Sequence, residues 1–500
     1  MTKDAAQRRR WIFYEAVTIQ SMKYKHALAL NPYYKSSTIV LGLFPPTGLE
    51  YIATSMKDLV GKVTLLDLKH EKGYQKIDRL NEFIKKEIDL LCISIAWNSH
   101  FEEVCELVCK LPGEVPTVVG GYKATEEVDY LFERCPNIDV IVRGEGEETI
   151  KEIVMGRPYR EILGISYREN GKTIHNDNRP LPDVASIPFP DRSLRRCKYN
   201  AVLNNTRITN LTFDTILTTR GCPFNCKFCT FSLNPLGQKR NYSERPLESV
   251  IEEMKTITAD VILFSDDNFF TNPKRSEKLC ELIIENNIKK SFIVQSRIEI
   301  AKNPRLLEKA QKAGFKLFLI GVESPHDRIL KQLHKGFTQK QVREAFKVLN
   351  RYNFYIHAYF IYGNIGETEE EMLYIPEFAK ELKVDSIAFH KLRIERYSPL
   401  KELVDKTPGY YYDRIGGTVY SDRFDRKALK EISTKIKFNF YTASRAKSAV
   451  IKAYKIGLFK LPHLIRLFMI LPFFLFGVLK KEIWEKRRFA ETLRHIVVRG

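Results

Sequence analysis

Thr218-Thr219-Arg220-Gly221-Cys222-Pro223-Phe224-Asn225-Cys226-Lys227-Phe228-Cys229 carries three cysteines at C-x3-C-x2-C spacing, directly after the apolar pair Ile216-Leu217. A tight loop of this spacing can aim three thiolates at one centre. Thiolates are soft ligands, suited to iron–sulfur clusters or zinc. A structural zinc site normally takes four protein ligands. No histidine lies between His175 and His326, and the next cysteine is Cys280. Three local ligands leave one iron of a [4Fe–4S] cluster open to another molecule. The alternatives are a zinc loop completed from a distance and three cysteines packed in a core. Core packing gives no reason for the spacing.

Around this loop, residues 211–425 hold six strand-like runs, beginning near Thr215, Val261, Ser291, Leu317, Phe354 and Ser386. Helical patterns separate them, over Pro246–Lys255, Lys274–Asn287, Pro304–Ala313, Gln339–Asn350 and Glu369–Leu382. Strand–helix alternation predicts parallel strands. Active groups on parallel barrels gather at the strand C-terminal ends. Four polar segments stand at such ends: Ser265-Asp266-Asp267-Asn268, Gln295-Ser296-Arg297, Gly321-Val322-Glu323-Ser324 and Gly363-Asn364-Ile365-Gly366-Glu367-Thr368. Turn and cap chemistry is the competing explanation, and Asp267, Thr338 and Thr368 can each cap a helix.

Upstream, residues 1–155 show five short apolar runs: Thr38–Leu41, Val63–Leu66, Leu90–Ile95, Thr117–Val119 and Val140–Val142. Helical patterns such as Phe101–Lys110 alternate with them, which predicts a doubly wound, flavodoxin-like parallel sheet. Ligands of such sheets lie beyond the strand carboxyl ends. Asp67, Ser94, Gly120, Gly121 and the loop Arg143-Gly144-Glu145-Gly146-Glu147 occupy those positions. Glycines there permit close backbone approach to a ligand, or serve ordinary turns. Residues 156–210 read as a connecting segment. It begins with a hairpin around Asn170-Gly171, suited to a type I′ turn, and continues through Leu181-Pro182 to Pro188-Phe189-Pro190.

The 500 residues carry a net charge of +20 with 44% apolar residues, an ordinary globular balance. The charge is uneven. Residues 426–500 hold 18 Lys/Arg against 4 Asp/Glu, a net of +14. That excess is not interleaved with stacking aromatics on one platform, so a nucleic-acid partner is not expected. Leu467–Leu479 is a 13-residue charge-free run flanked by Lys460, Arg466, Lys480 and Lys481. It is too short for a span of about 20 residues and suits peripheral membrane contact at the inner face. The alternative is a helix closing the barrel's open side. The polar, basic start Met1–Arg10 predicts no secretory signal. Nine cysteines without a paired framework fit the reducing cytoplasm. Cys105 and Cys109 are expected as buried small hydrophobes.

The cysteine loop, with Phe228 before the last cysteine, resembles the radical S-adenosylmethionine enzymes. In that family the open iron chelates the amino and carboxylate groups of S-adenosylmethionine, and reduction yields a 5′-deoxyadenosyl radical. The resemblance implies Cys222, Cys226 and Cys229 as cluster ligands, Phe228 against adenine, and residues 211–425 as a partial (β/α)6 barrel. It places Asp266, Asp267, Asn268, Arg297, Glu323 and Gly363 in S-adenosylmethionine-contacting segments. Carboxylates would accept from the ammonium, Arg297 would pair the carboxylate, Glu323 would meet the ribose and Gly363 would let the backbone approach adenine. The family's glycine-glycine-glutamate motif is replaced here by Ser265-Asp266-Asp267-Asn268.

Residues 1–155 resemble the cobalamin-binding domain that precedes many such barrels. Pro45-Pro46-Thr47-Gly48-Leu49-Glu50-Tyr51 matches its opening helix, while Ser94, Gly120, Gly121, Gly144 and Glu145 are candidate cobalamin contacts. The histidine-ligating pattern D-x-H-x-x-G is not kept, because Asp67 stands one residue too far from His70, which then reads as a surface loop residue. The implied activity is methylation of an unactivated carbon in a small-molecule or lipid-like substrate, with flavodoxin or ferredoxin as electron donor. The rivals are an oxidative cyclase or rearrangement enzyme, a cobalamin-free radical enzyme, and a membrane-bound corrinoid or redox protein without turnover. A transfer-RNA methylthiotransferase is disfavoured, since Cys92, Cys105, Cys109 and Cys135 lack the arrangement of its second cluster. No catalytic acid or base is identified.

Overall fold

The computed structural model describes residues 22–33, 43–97, 100–203, 206–229, 233–466 and 469. The first sheet holds β1 (Ala27–Asn31), β2 (Val63–Asp67), β3 (Leu90–Ser94), β4 (Thr117–Gly120), β5 (Val140–Val142), β6 (Ile165–Glu169) and β7 (Lys172–His175). Their order is β2-β1-β3-β4-β5-β6-β7. β1 to β5 run parallel in the expected doubly wound arrangement. β1 was not expected. Its sequence Ala-Leu-Ala-Leu-Asn is apolar on both faces, and the first four residues are buried, as the central strand of a parallel sheet requires. The run Thr38–Leu41, expected to begin the sheet, falls outside the described residues apart from its place in the chain. The hairpin β6–β7, expected in the connecting segment, instead continues the first sheet, with β6 antiparallel to β5.

A second sheet follows. β8 (Asn200–Leu203) and β9 (Thr206–Ile216) form its edge, and a short ribbon of β10 (Thr219–Arg220) with β11 (Ser243–Glu244) branches from the end of β9. β12 (Val261–Phe264), β13 (Ser291–Ser296), β14 (Phe315–Glu323), β15 (Tyr355–Tyr362) and β16 (Ser386–Lys391) complete it in the order β16-β15-β14-β13-β12-β9-β8. Six of these strands are parallel, as the sequence pattern predicts, and the sheet curls into an open half-barrel. Its outer face packs on helices Leu247–Thr256, Pro273–Glu285, Pro304–Ala313 and Gln339–Leu349 through a large apolar layer. Phe264, Phe292 and Phe315 meet there, and each buried ring contributes about 1.5–3 kcal/mol. A hairpin, β17 (Tyr410–Tyr412) with β18 (Val419–Ser421), precedes helices Arg426–Phe440 and Ala443–Lys455.

The N-terminal end of the half-barrel is filled. Leu211, Phe213, Val261 and Ile293 pack there with Leu43 and Phe44 from the first domain and Leu458 and Phe459 from the tail. Phe44 meets Phe213 edge-on at 5.6 Å. The described part of the tail therefore closes the barrel, anchored by Lys452 Nζ to Asp385 at 2.6 Å and by Tyr441 to the Ile387 backbone. No helix among the described residues is long and apolar enough to cross a membrane. The run Leu467–Leu479 lies outside them, Met469 excepted.

The two domains join through buried charges. Arg195 reaches both Glu50 and Asp214, Arg192 binds Asp214 at 2.9 Å and Glu253 at 2.8 Å, and Arg245 binds Glu253 at 2.5 Å. Beside this network the Thr47 and Thr215 hydroxyls meet at 2.7 Å. The expected opening helix, Thr47–Met56, thus faces the barrel. His70 is half-buried rather than a surface residue, because Tyr199 of the connecting segment lies edge-on to its ring at 4.8 Å. Cys105 is buried as expected, whereas Cys109 is partly exposed and its sulfur lies 3.2 Å from that of Cys135.

Candidate active site

The cysteine loop leaves β9 at the C-terminal end of the barrel. Its base is held by Asp266, which is fully buried and accepts from the backbone N–H of Thr218 at 2.6 Å, the Thr218 hydroxyl at 2.5 Å and the Thr219 N–H at 3.1 Å. Gly221 comes next, at φ +83°. A Cβ there would stand 2.5 Å from the Asn241 carbonyl, so only glycine fits the turn. The Gly221 N–H donates to Asp267 at 2.9 Å. Further along, the Lys227 N–H bonds the Leu333 carbonyl and the Ser398 hydroxyl bonds the Lys227 carbonyl. Cys222, Cys226 and Cys229 then line one cavity of about 390 Å³. Among the described residues no three His, Cys, Asp or Glu side chains close tightly enough on one point to hold a single ion. The three thiols nevertheless share the lining of this one cavity.

Asp267, Asn268, Arg297 and Glu323 line the same cavity, as does Phe228. Asn268 is buried, and its Oδ1 has no hydrogen-bond partner among the described residues. A buried polar atom of this kind calls for a ligand. Arg297 lies with its guanidinium carbon 3.8 Å from the centre of the Phe224 ring and one nitrogen 3.4 Å from the Cys226 sulfur. Its other contacts are Glu299 at 2.8 Å and the Lys335 carbonyl at 2.5 Å. Glu323 sits at φ +71°, in the left-handed region, where β14 shifts register against β15. Such strain at a cavity wall is held by its surroundings, here the buried ammonium of Lys335 at 2.8 Å. Burial pushes the Asp267 carboxyl up to about 7, with the Gly221 N–H opposing and Asp266 adding to the rise.

Two expected residues stand elsewhere. Asp266 supports the loop and does not line the cavity. Gly363, at φ +74°, packs toward Leu429 of helix Arg426–Phe440. Thr338 and Thr368 cap helices, each in a reciprocal box with the side chain three residues on. The cavity also gathers Lys335, Tyr359 and His390, which no motif announced. Tyr359 lies between two histidines, 4.9 Å from the His357 ring and 6.2 Å from that of His390. Burial pushes the His357 imidazole down to about 4, and His390 adds to the effect. His357 keeps a 2.7 Å contact with the Ser386 hydroxyl.

At the first sheet's carboxyl edge, Ser94 pairs in register with Gly120. Gly121, at φ +113°, lies so close to Ile95 that a Cβ would meet its carbonyl at 2.7 Å. Gly144, at φ +80°, donates its N–H to the Thr125 hydroxyl. Trp97 is 67% exposed beside them, its backbone held by the Tyr33 hydroxyl. A side-chain-free edge next to an exposed indole suits a large planar ligand. A smaller cavity of about 240 Å³ is lined by Cys226 and Cys229, by the segments around Asn234 and Tyr397, and by Tyr122 of the first domain. Glu145 turns away from that edge toward Arg220 and Arg240.

A parallel half-barrel with three thiols lining its cavity, joined to a doubly wound domain with a glycine edge, is the architecture of a two-domain α/β enzyme with a cysteine-lined site. Residues 216–379 match the radical SAM superfamily, and residues 39–154 match the B12 binding domain. The chain is similar to an uncharacterised methyltransferase of Pyrococcus horikoshii, 29% identical over 436 residues, covering 83% of this chain and 92% of that protein. It is also similar to the anaerobic magnesium-protoporphyrin IX monomethyl ester cyclase of Cereibacter sphaeroides, 24% identical over 404 residues, covering 76% of this chain and 64% of that one. The radical S-adenosylmethionine methyltransferase TsrM of Kitasatospora setae, solved with cobalamin and a [4Fe–4S] cluster, shares the fold. Its TM-score is 0.66 at 16% identity, over 84% of this chain and 90% of that one. The chain belongs to the radical S-adenosylmethionine enzymes that carry a B12-binding domain. Its cofactors are accordingly a [4Fe–4S] cluster, S-adenosylmethionine and cobalamin.

Proposed function

We propose that this enzyme methylates an unactivated carbon of a small molecule. The observation that supports the reading is that Cys226 and Cys229 line both the barrel cavity and a second cavity to which Tyr122 of the first domain contributes. When bound, the cluster with S-adenosylmethionine supplies a carbon-centred radical, and cobalamin supplies a transferable methyl group. Cys222, Cys226 and Cys229 would hold the cluster. Asn268 Oδ1 and Asp267 would accept from the amino group, Arg297 would face the carboxylate, and Phe228 would pack on adenine. The Glu323–Lys335 pair keeps that wall polar but internally neutral. Ser94, Gly120, Gly121 and Gly144 would receive cobalamin. Residues up to about 155 with the following hairpin form the cobalamin-binding unit, and 211–425 form the barrel.

A cyclase-type outcome is the second reading, favoured by the similarity to the ester cyclase. A cytoplasmic setting, a flavodoxin or ferredoxin donor, and peripheral membrane contact with a lipid-like substrate complete the proposal. The last rests on the basic flanks of Leu467–Leu479. Sedimentation with anionic vesicles tests it, and loss of that binding on deleting 467–500 is the expected result.

Protein made with cobalamin, purified and reconstituted without oxygen, tests the main reading by its visible spectrum and its products. Methylation requires stoichiometric corrinoid beside the cluster band, with both S-adenosylhomocysteine and 5′-deoxyadenosine formed. Deoxyadenosine without S-adenosylhomocysteine favours cyclisation. A cluster without corrinoid overturns the cobalamin assignment.

A further inference from the structure

Arg220 immediately precedes Gly221 and the first cysteine. Its side chain leaves the barrel and enters the first domain. One guanidinium nitrogen donates to Glu145 at 2.5 Å, and the other donates to Glu147 at 2.5 Å. Glu145 lies in the loop after β5 and Glu147 opens the helix Glu147–Val154, on either side of Gly146. The Tyr51 ring lies beneath the guanidinium at 5.3 Å. The site is largely dry: side-chain exposure is 15% for Arg220, 22% for Glu145 and 6% for Glu147. Arg240 flanks it at 3.4 Å from Glu145. Consecutive residues of the cysteine loop are therefore clamped from opposite domains. Arg220 is tied to Glu145 and Glu147, and Gly221 is tied to Asp267.

The clamping loop has a second duty in the reading above. Gly144, one residue before Glu145, stands at the glycine edge proposed for cobalamin. A shift of this loop would move both the candidate cobalamin contact and the anchor of the cysteine loop. Arginine suits the position because its planar fork can serve two carboxylates at once, whereas a lysine ammonium acts as a single point charge.

We propose that Arg220 is a positioning residue for the cluster, and that Glu145 and Glu147 of the first domain set the cysteine loop through it. The inference rests on the proposed cofactor assignment for its link to cobalamin, but its core concerns the order of the loop itself.

The test uses the full chain in two states. In cluster-free protein, the rates at which iodoacetamide alkylates Cys222, Cys226 and Cys229 are read by peptide mass spectrometry, with Cys197 as an internal reference. Losing a buried charged hydrogen-bond pair opens a local segment about tenfold more often. Arg220→Met and the isosteric Glu145→Gln/Glu147→Gln are each expected to speed alkylation of the three loop thiols about tenfold relative to Cys197. Arg220→Lys is expected to restore part of the protection. In reconstituted protein, the same two variants are expected to bind less than half the wild-type iron. Single Glu147→Gln, which keeps the shape of the site, remains informative if Arg220→Met does not fold. Unchanged alkylation ratios and iron content in the folded variants would overturn the proposal. So would equal acceleration at Cys197, which would mean general destabilisation. Wild-type protein that binds no corrinoid would instead defeat the cobalamin assignment, leaving the alkylation result to stand separately.

Discussion

Two buried ion networks join the halves of this molecule, and they are built from the same residue types. In the one through Glu50, Arg195, Asp214, Arg192, Glu253 and Arg245, arginines and carboxylates alternate, and each carboxylate bonds at least one guanidinium. In the one through Arg220, Glu145, Glu147 and Arg240, one oxygen of Glu147 and one terminal nitrogen of Arg240 have no hydrogen-bond partner among the described residues. The first lies away from the cavity and sets how the domains sit. The second adjoins the cysteine loop. Closed networks resist rearrangement, because every displaced charge loses a partner in a low-dielectric setting. An incompletely satisfied network beside a cofactor loop can change partners at lower cost.

This contrast between scaffold and site can be broken experimentally, beginning with the largest effect. Cys226→Ala should abolish cluster loading, read as bound iron and charge-transfer absorption, while the unfolding midpoint moves little. Gly221→Ala should fail in the same assay, because a Cβ would collide with backbone at 2.5 Å and the residue sits at positive φ. A large fall in global stability in either variant would erase the distinction. In the scaffold, Arg195→Met strands Glu50 and leaves Asp214 with Arg192 as its one guanidinium partner, and should cost about 3–5 kcal/mol in denaturant unfolding. A loss under 1 kcal/mol would show that this network does not hold the domains.

A third kind of buried polar group sharpens the comparison. His357 stays neutral in the folded chain, with its pKa down at about 4 from an ordinary 6.5. The unfolded chain takes up the proton first as pH falls. The neutral imidazole's advantage is therefore complete above about pH 6.5 and is lost progressively toward pH 4. His357→Gln should remove about 2 kcal/mol of the stability difference between pH 8 and pH 5. Identical pH profiles for the two proteins would contradict this. Smallest is Thr338→Ala, which removes a reciprocal helix cap and should cost about 1 kcal/mol with no change in iron content.

The cysteine spacing was readable because cluster chemistry constrains neighbours in the chain. The six barrel strands and four of the first five strands were readable from apolar runs with polar or glycine punctuation. β1 was missed because it is short and buried on both faces, so it carries neither length nor alternation. Asp266 and Asp267 show a different limit. They are adjacent and chemically alike, yet one is buried under the loop and the other lines the cavity, and only the path of the chain after β12 distinguishes them. Glu145 looked like a ligand-loop residue, but its partner Arg220 lies 75 positions away. Lys335, Tyr359 and His390 reach the cavity from the segment after helix Asp327–Gln332, from β15 and from β16 respectively, and no local pattern marks their convergence.

With Phe44, Leu458 and Phe459 seated against Phe213 and its neighbours, the N-terminal end of the barrel is stoppered by side chains from both the first domain and the tail. Three segments far apart in the sequence thus share one plug, so trimming either Phe44 or Phe459 removes apolar contacts from the barrel floor without touching the cysteine loop at the opposite end.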